Sequence, residues 1–90
     1  MSASLAASPL GAALAVWPNP ARNSATVQLP ASPATRAMTL TDAVGRVVRT
    51  PLLPAYASQA TLDLHGLAPG LYYLRCSTEA GTVGQRLVIQ

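Results

Sequence analysis

Asp63 and His65 lie two residues apart in an alternating stretch, the spacing that puts two side chains on one face of a strand. A carboxylate orienting an imidazole is most of what activates a serine nucleophile. The nucleophile is missing, because the chain has no Gly-x-Ser-x-Gly elbow, and no second base accompanies it. His65 therefore reads as a surface histidine beside a turn. The other acids, Asp42 and Glu79, sit in or beside turn signals, where capping backbone amides or facing water is role enough. Nothing in the spacing brings two carboxylates together for acid–base work. Cys76 falls on the inward parity of its strand beside Leu74, where a thiol behaves as a small, inert hydrophobe. One cysteine and one histidine fall short of a zinc ligand set, and the scattered glycines form no phosphate-binding loop. Tyr72 and Tyr73 must point to opposite sheet faces, which gives Tyr72 to the core and leaves Tyr73 as a surface aromatic. The residue chemistry predicts no enzyme, no cofactor and no metal.

The elements that hold these residues read as short strands. Ala25, Val27 and Leu29 alternate with Ser24, Thr26 and Gln28, and Pro30 and Pro33 end the run. Arg36 to Asp42 follows, with Met38 and Leu40 inward. Asp42-Ala43-Val44-Gly45 is a hairpin turn in which Asp caps the backbone and Gly takes a left-handed conformation. Arg46 to Thr50 returns beside it. Pro51 to Ser58, with two prolines, reads as a loop crossing between sheets. Alternation resumes with Ala60, Leu62 and Leu64 inward, and a Pro-Gly turn at Pro69-Gly70 leads into Leu71 to Thr78. Glu79-Ala80-Gly81 signals another tight hairpin before Thr82 to Ile89, with Leu87 and Ile89 inward and Arg86 and Gln90 in water. With an opening strand near Leu14 to Trp17, the pattern predicts an all-β fold: an Ig-like β-sandwich of about seven short, mainly antiparallel strands.

Composition agrees. The 90 residues hold eight prolines, six arginines, no lysine and three acids, for a net charge of +3. A helical bundle would need more Glu and Lys on its surface. No apolar run approaches the roughly 20 residues of a membrane-spanning helix. The arginines are scattered and the aromatics few, so no nucleic-acid partner is expected. A single cysteine rules out an internal disulfide. Residues 1–15, rich in Ala and Ser and free of charge, read as a flexible linker, and residues 16–90 as the domain.

Several motifs together resemble a known family. Trp17-Pro18-Asn19-Pro20 precedes the first long strand, Asp42-Ala43-Val44-Gly45-Arg46 forms the hairpin, Leu67-Ala68-Pro69-Gly70-Leu71-Tyr72 the later turn, and Arg86-Leu87-Val88-Ile89-Gln90 the last strand. In this order they resemble the type A C-terminal sorting domain of the Bacteroidetes type IX secretion system. The family usually carries lysine where Arg86 stands, so charge is kept while the compact ammonium is not. The candidate recognition residues carried over are Pro18, Asn19, Pro20, Asp42, Gly45, Arg46, Pro69, Gly70, Tyr72, Arg86, Leu87 and Val88. Local chemistry gives several of them structural roles: Asn19 bonding its own backbone, Gly45 and Gly70 serving bends that a side chain would obstruct.

The resemblance implies a secretion address. Cargo joined upstream passes through the periplasm, is taken across the outer membrane by the type IX translocon and its shuttle proteins, and ends at the cell surface or outside. It further implies removal of the domain by a sortase-like cysteine peptidase, with the cut expected within Ser2 to Ala15. The alternative from the residues alone is an Ig-like carbohydrate- or protein-binding accessory module of an extracellular protein, using a wet face around Tyr73, Arg75 and Thr61.

Overall fold

The computed structural model describes residues 14–78 and 81–90, which run through β1 (Ala15–Trp17), β2 (Ser24–Gln28), β3 (Arg36–Asp42), β4 (Val47–Arg49), β5 (Leu52–Leu53), β6 (Gln59–Asp63), β7 (Gly70–Thr78) and β8 (Gly81–Ile89). The smaller sheet has the order β1-β2-β6. The larger has β4-β3-β7-β8, with β5 on the same edge of β3 as β4. Every strand pairing is antiparallel.

Parity along each strand decides what is buried. Ala25 and Val27 from β2 and Leu62 from β6 meet Met38 and Leu40 from β3, Leu74 and Cys76 from β7, and Val83, Leu87 and Ile89 from β8 in one core. Burial of each Leu or Ile side chain contributes on the order of 1.5–3 kcal/mol. Between them the outward positions are Thr, Gln, Arg and Tyr73, so each sheet keeps one wet face. The two-sheet sandwich and the inward set of Met38, Leu40, Leu62, Leu64, Tyr72, Leu74, Cys76, Leu87 and Ile89 are as expected from alternation.

Eight strands rather than seven run through the described residues, because the stretch expected to be loop from Pro51 onward holds β5. The chain leaves β4 and continues along the same edge of β3: the Pro51 carbonyl accepts from the Met38 amide at 2.8 Å, and Leu52 and Leu53 pair with Ala37 and Arg36. Pro51 has no N–H to give, so the ladder breaks there into two short pieces. After Pro54 the chain does cross to the smaller sheet. Thr78 pairs with Gly81 at the end of the β7–β8 ladder, whereas Glu79 and Ala80 of the expected hairpin lie outside the described residues. Most of the expected linker, residues 1–13, lies outside them as well.

Two arginines join elements that the ladders leave apart. Arg49 on β4 donates from Nη2 to the His65 carbonyl and from Nε to the Asp63 carbonyl at 3.3 Å, tying the larger sheet to the end of β6. Arg36, only 8% exposed, donates to the Pro30 and Ala57 carbonyls, the latter at 2.9 Å, and so pins both crossing loops over the core. Its buried Nε has no hydrogen-bond partner among the described residues.

Candidate recognition edge and face

The Pro-Asn-Pro motif lies along the outer edge of β8. The Asn19 side-chain amide donates to the Arg86 carbonyl at 3.0 Å, and its Oδ1 accepts from the Val88 amide at 3.0 Å. Two residues on, the Ala21 amide donates to the Val88 carbonyl and the Ala21 carbonyl accepts from the Gln90 amide, both at 2.8 Å, in a parallel bridge with Ile89. A carboxamide offers one donor side and one acceptor side, as a peptide group does. Asn19 thus adds a rung to that bridge with its side chain. This corrects the expectation that Asn19 bonds its own backbone: the partners are 67 and 69 residues away. Pro18 and Pro20 flank it, exposed, with both the Trp17–Pro18 and Asn19–Pro20 bonds cis.

Towards the opposite edge of the larger sheet, Asp42 organises the β3–β4 hairpin. Its Oδ1 accepts from the Val44 and Arg46 amides at 3.0 Å each, and Oδ2 accepts from the Arg46 guanidinium at 2.9 Å. Gly45, at φ +92°, completes the turn. The Arg46 backbone amide, first, and then its side chain and the Val44 amide hold the Asp42 carboxyl below the usual carboxylate range. In the interval between that lowered value and the ordinary value near about 4, the unfolded chain binds more protons than the folded one. The stabilisation from Asp42 is therefore complete above the ordinary value and lost as pH falls through the folded one. Asp42→Asn should flatten the fall of the urea midpoint between about pH 5 and pH 3 relative to the unaltered chain. An unchanged slope would assign the acid response to other carboxyls.

Tyr72 begins β7 with its ring in the core and its hydroxyl donating to the Ala68 carbonyl at 2.6 Å. A tyrosine hooking back onto the preceding loop is a feature of Ig-like sandwiches. This bond fixes the course of the Pro69-Gly70 turn. At Gly45 and Gly70 an added Cβ would meet nothing within 4 Å, so a side chain would be opposed there by the backbone conformation and not by neighbouring atoms. The constraint at both is the positive φ, +92° at Gly45 and +154° at Gly70. The glycine with crowded space is Gly84, where a Cβ would lie 2.9 Å from the Tyr73 ring.

These motifs meet on one surface. Asp42, Arg46, Pro69, Gly70 and Tyr72 line one shallow depression. A neighbouring one runs past Gly45 and Leu71 to Tyr73, Arg75 and Arg86, and a third holds Asn19, Tyr73, Gly84, Gln85 and Arg86. Tyr73 is the hinge of this face: its ring lies against Gly84, with the Arg75 guanidinium 5.2 Å from its centroid. Leu71 and Val88 beside it are 45% and 38% exposed. Of the residues named from sequence, Leu87 is wholly buried and Tyr72 nearly so, and both shape the surface from beneath. Thr61 belongs to β6 in the other sheet, so a single wet face containing Tyr73, Arg75 and Thr61 does not exist.

The triad-like spacing at Asp63 and His65 is real but serves the turn. Asp63 Oδ1 lies 2.9 Å from His65 Nδ1 and accepts from the His65 amide at 3.0 Å, with both side chains 71% exposed. The His65 amide, then its ring, lower the Asp63 pKa. Burial pushes the Cys76 thiol up, as expected of an inward cysteine. No group of three or more metal-ligating side chains occurs among the described residues. Sequence reasoning missed Arg36, Arg49 and Gly84. Arg36 shares the inward parity of Met38 and Leu40, a signal that its charge obscures.

A shape with these motifs gathered on one edge and face suits either a secretion address or a general binding module. Residues 15–90 match the family described as the secretion system C-terminal sorting domain. The chain belongs to that family. No curated protein matches it. As a type IX sorting domain it is a signal for export toward the cell surface or extracellular space, and it implies interaction with the secretion system. The family is not a class of enzymes. Among the described residues no helix is long and apolar enough to cross a membrane.

Proposed function

We propose that the folded sorting domain is recognised by the type IX translocon and its shuttle proteins through the outer edge of β8 and the adjoining face. The observation that carries this reading is the Asn19 strap. It makes one physical unit of the Pro18–Pro20 motif and the Arg86–Val88 segment, although nearly the whole sequence separates them. Asp42, Gly45, Arg46, Pro69 and Gly70 hold the other end of the same face. Cargo upstream passes from the periplasm across the outer membrane, and a sortase-like cysteine peptidase cuts within Ser2 to Ala15.

The test fuses the full chain behind a periplasmic reporter in a host with the secretion system. The reporter should leave the cell, and should stay inside in a translocon-deficient strain. Asn19→Ala removes both side-chain bonds to β8 and should cost about 1–3 kcal/mol in urea unfolding, with export reduced while the domain stays folded. Normal export with lost adhesion would favour the accessory binding module instead. An uncut linker on the exported reporter would count against processing and leave sorting standing.

A further inference from the structure

β8 is nine residues long and lies at the edge of its sheet, yet among the described residues only its C-terminal half is covered. The register with β7 is regular from end to end, so alternate residues turn their backbone N–H and C=O groups away from β7. The Val88 N–H donates to Asn19 and its C=O accepts from Ala21, the Gln90 N–H donates to the Ala21 carbonyl, and the Arg86 carbonyl accepts from Asn19. The same parity aims the N–H and C=O of Thr82 and Gly84, and the N–H of Arg86, outward, and no described strand pairs with them. The other edges of the sandwich are shorter: β1 has three residues, β4 and β5 are separated by Pro51, and β6 has five residues with Arg49 on its Asp63 carbonyl. Such shortening is how proteins usually blunt an edge. Among the described residues nothing gives β8 that protection over Thr82 to Arg86.

The charge beside this open half selects among occupants. Arg86 and Arg75 flank it on the wet face, and the ion pairs among the described residues, Arg46 with Asp42 and His65 with Asp63, involve neither. A second copy would bring the same arginines and a further +3 charge. Asn19, Tyr73, Gly84, Gln85 and Arg86 line a shallow polar hollow into which an added strand could place a carboxylate.

We propose that Thr82 to Arg86 takes up an extended, acidic polypeptide segment of the export machinery as an added strand, with a carboxylate of that segment meeting Arg86. Main-chain hydrogen bonds supply affinity in this mode and alternate side chains supply selection. The proposal rests on the sorting reading for the partner's identity, though not for the binding itself.

The experiment titrates the full 15N-labelled chain with a capped nine-residue peptide alternating glutamate and valine, and with its lysine-for-glutamate counterpart. The acidic peptide should shift the amides of Thr82, Gly84 and Arg86 and bind at least tenfold more tightly than the basic one. Arg86→Glu should invert that preference. Thr82→Pro removes an outward donor without touching the β7 ladder and should abolish both. Equal binding of the two peptides, shifts confined to another edge, or self-association through β8 would overturn the proposal. Normal reporter export by Thr82→Pro would likewise overturn it and leave the sorting reading intact. Failure of the unaltered chain to export its reporter would strike the sorting reading alone.

Discussion

A chain ending at Arg86 should be unfolded, with its amide dispersion collapsed and no cooperative urea transition. The four residues removed include Leu87 and Ile89, 0% and 3% exposed, which the edge strand β8 contributes to the core. Truncation of either to alanine alone is expected to cost about 2–5 kcal/mol. Removal also strips Asn19 and Ala21 of the Val88 and Gln90 groups they bond. A domain of this size holds roughly 4–11 kcal/mol in all, at about 0.05–0.15 kcal/mol per residue. The loss matches or exceeds that reserve. Export failure after such a deletion would report unfolding as much as lost contact, so Leu87→Ala, read beside Asn19→Ala and Arg86→Glu, separates the two. A folded truncated chain would show that β8 closes the core without its last turn of pairing.

Arg36→Met is the second large effect, expected to lower stability by about 2–4 kcal/mol. Hydrogen bonds to a charged donor contribute about 1.5–3 kcal/mol each, and two carbonyls, Pro30 and Ala57, lose theirs. Relief of burying a cation offsets part of this, which keeps the sum below the full value. Arg36→Lys retains charge without the planar fork and should recover less than half. The measurement is the urea midpoint at constant slope. A variant as stable as the unaltered chain would mean that the two crossing loops close on apolar packing alone.

The sandwich was legible because its strands are wet on one face, which writes burial into the sequence with period two. Ala25-Val27-Leu29, Met38-Leu40 and Tyr72-Leu74-Cys76 need no further information. β5 was not legible, since two residues between prolines show no period. The hairpin at Asp42 could be read in detail because all its bonds close within four residues. Asn19 could not: its residue type announces a turn, whereas its partners depend on where β8 comes to rest. Arg49 is the same case, with carbonyls on another sheet as its partners. Arg36 lies between these, because its parity was correct and only its charge argued for the outside. The motif residues could be named from family resemblance, but their convergence on one edge is a property of topology.

The joins made by Arg36 and Arg49 end on peptide carbonyls, and neither guanidinium has a carboxylate partner among the described ion pairs. Mobile ions weaken attraction between separated exposed charges far more than a short, partly buried contact between a cation and a neutral dipole. The seam made by Arg36, whose contacts are partly buried, accordingly keeps its strength in brine as in dilute buffer.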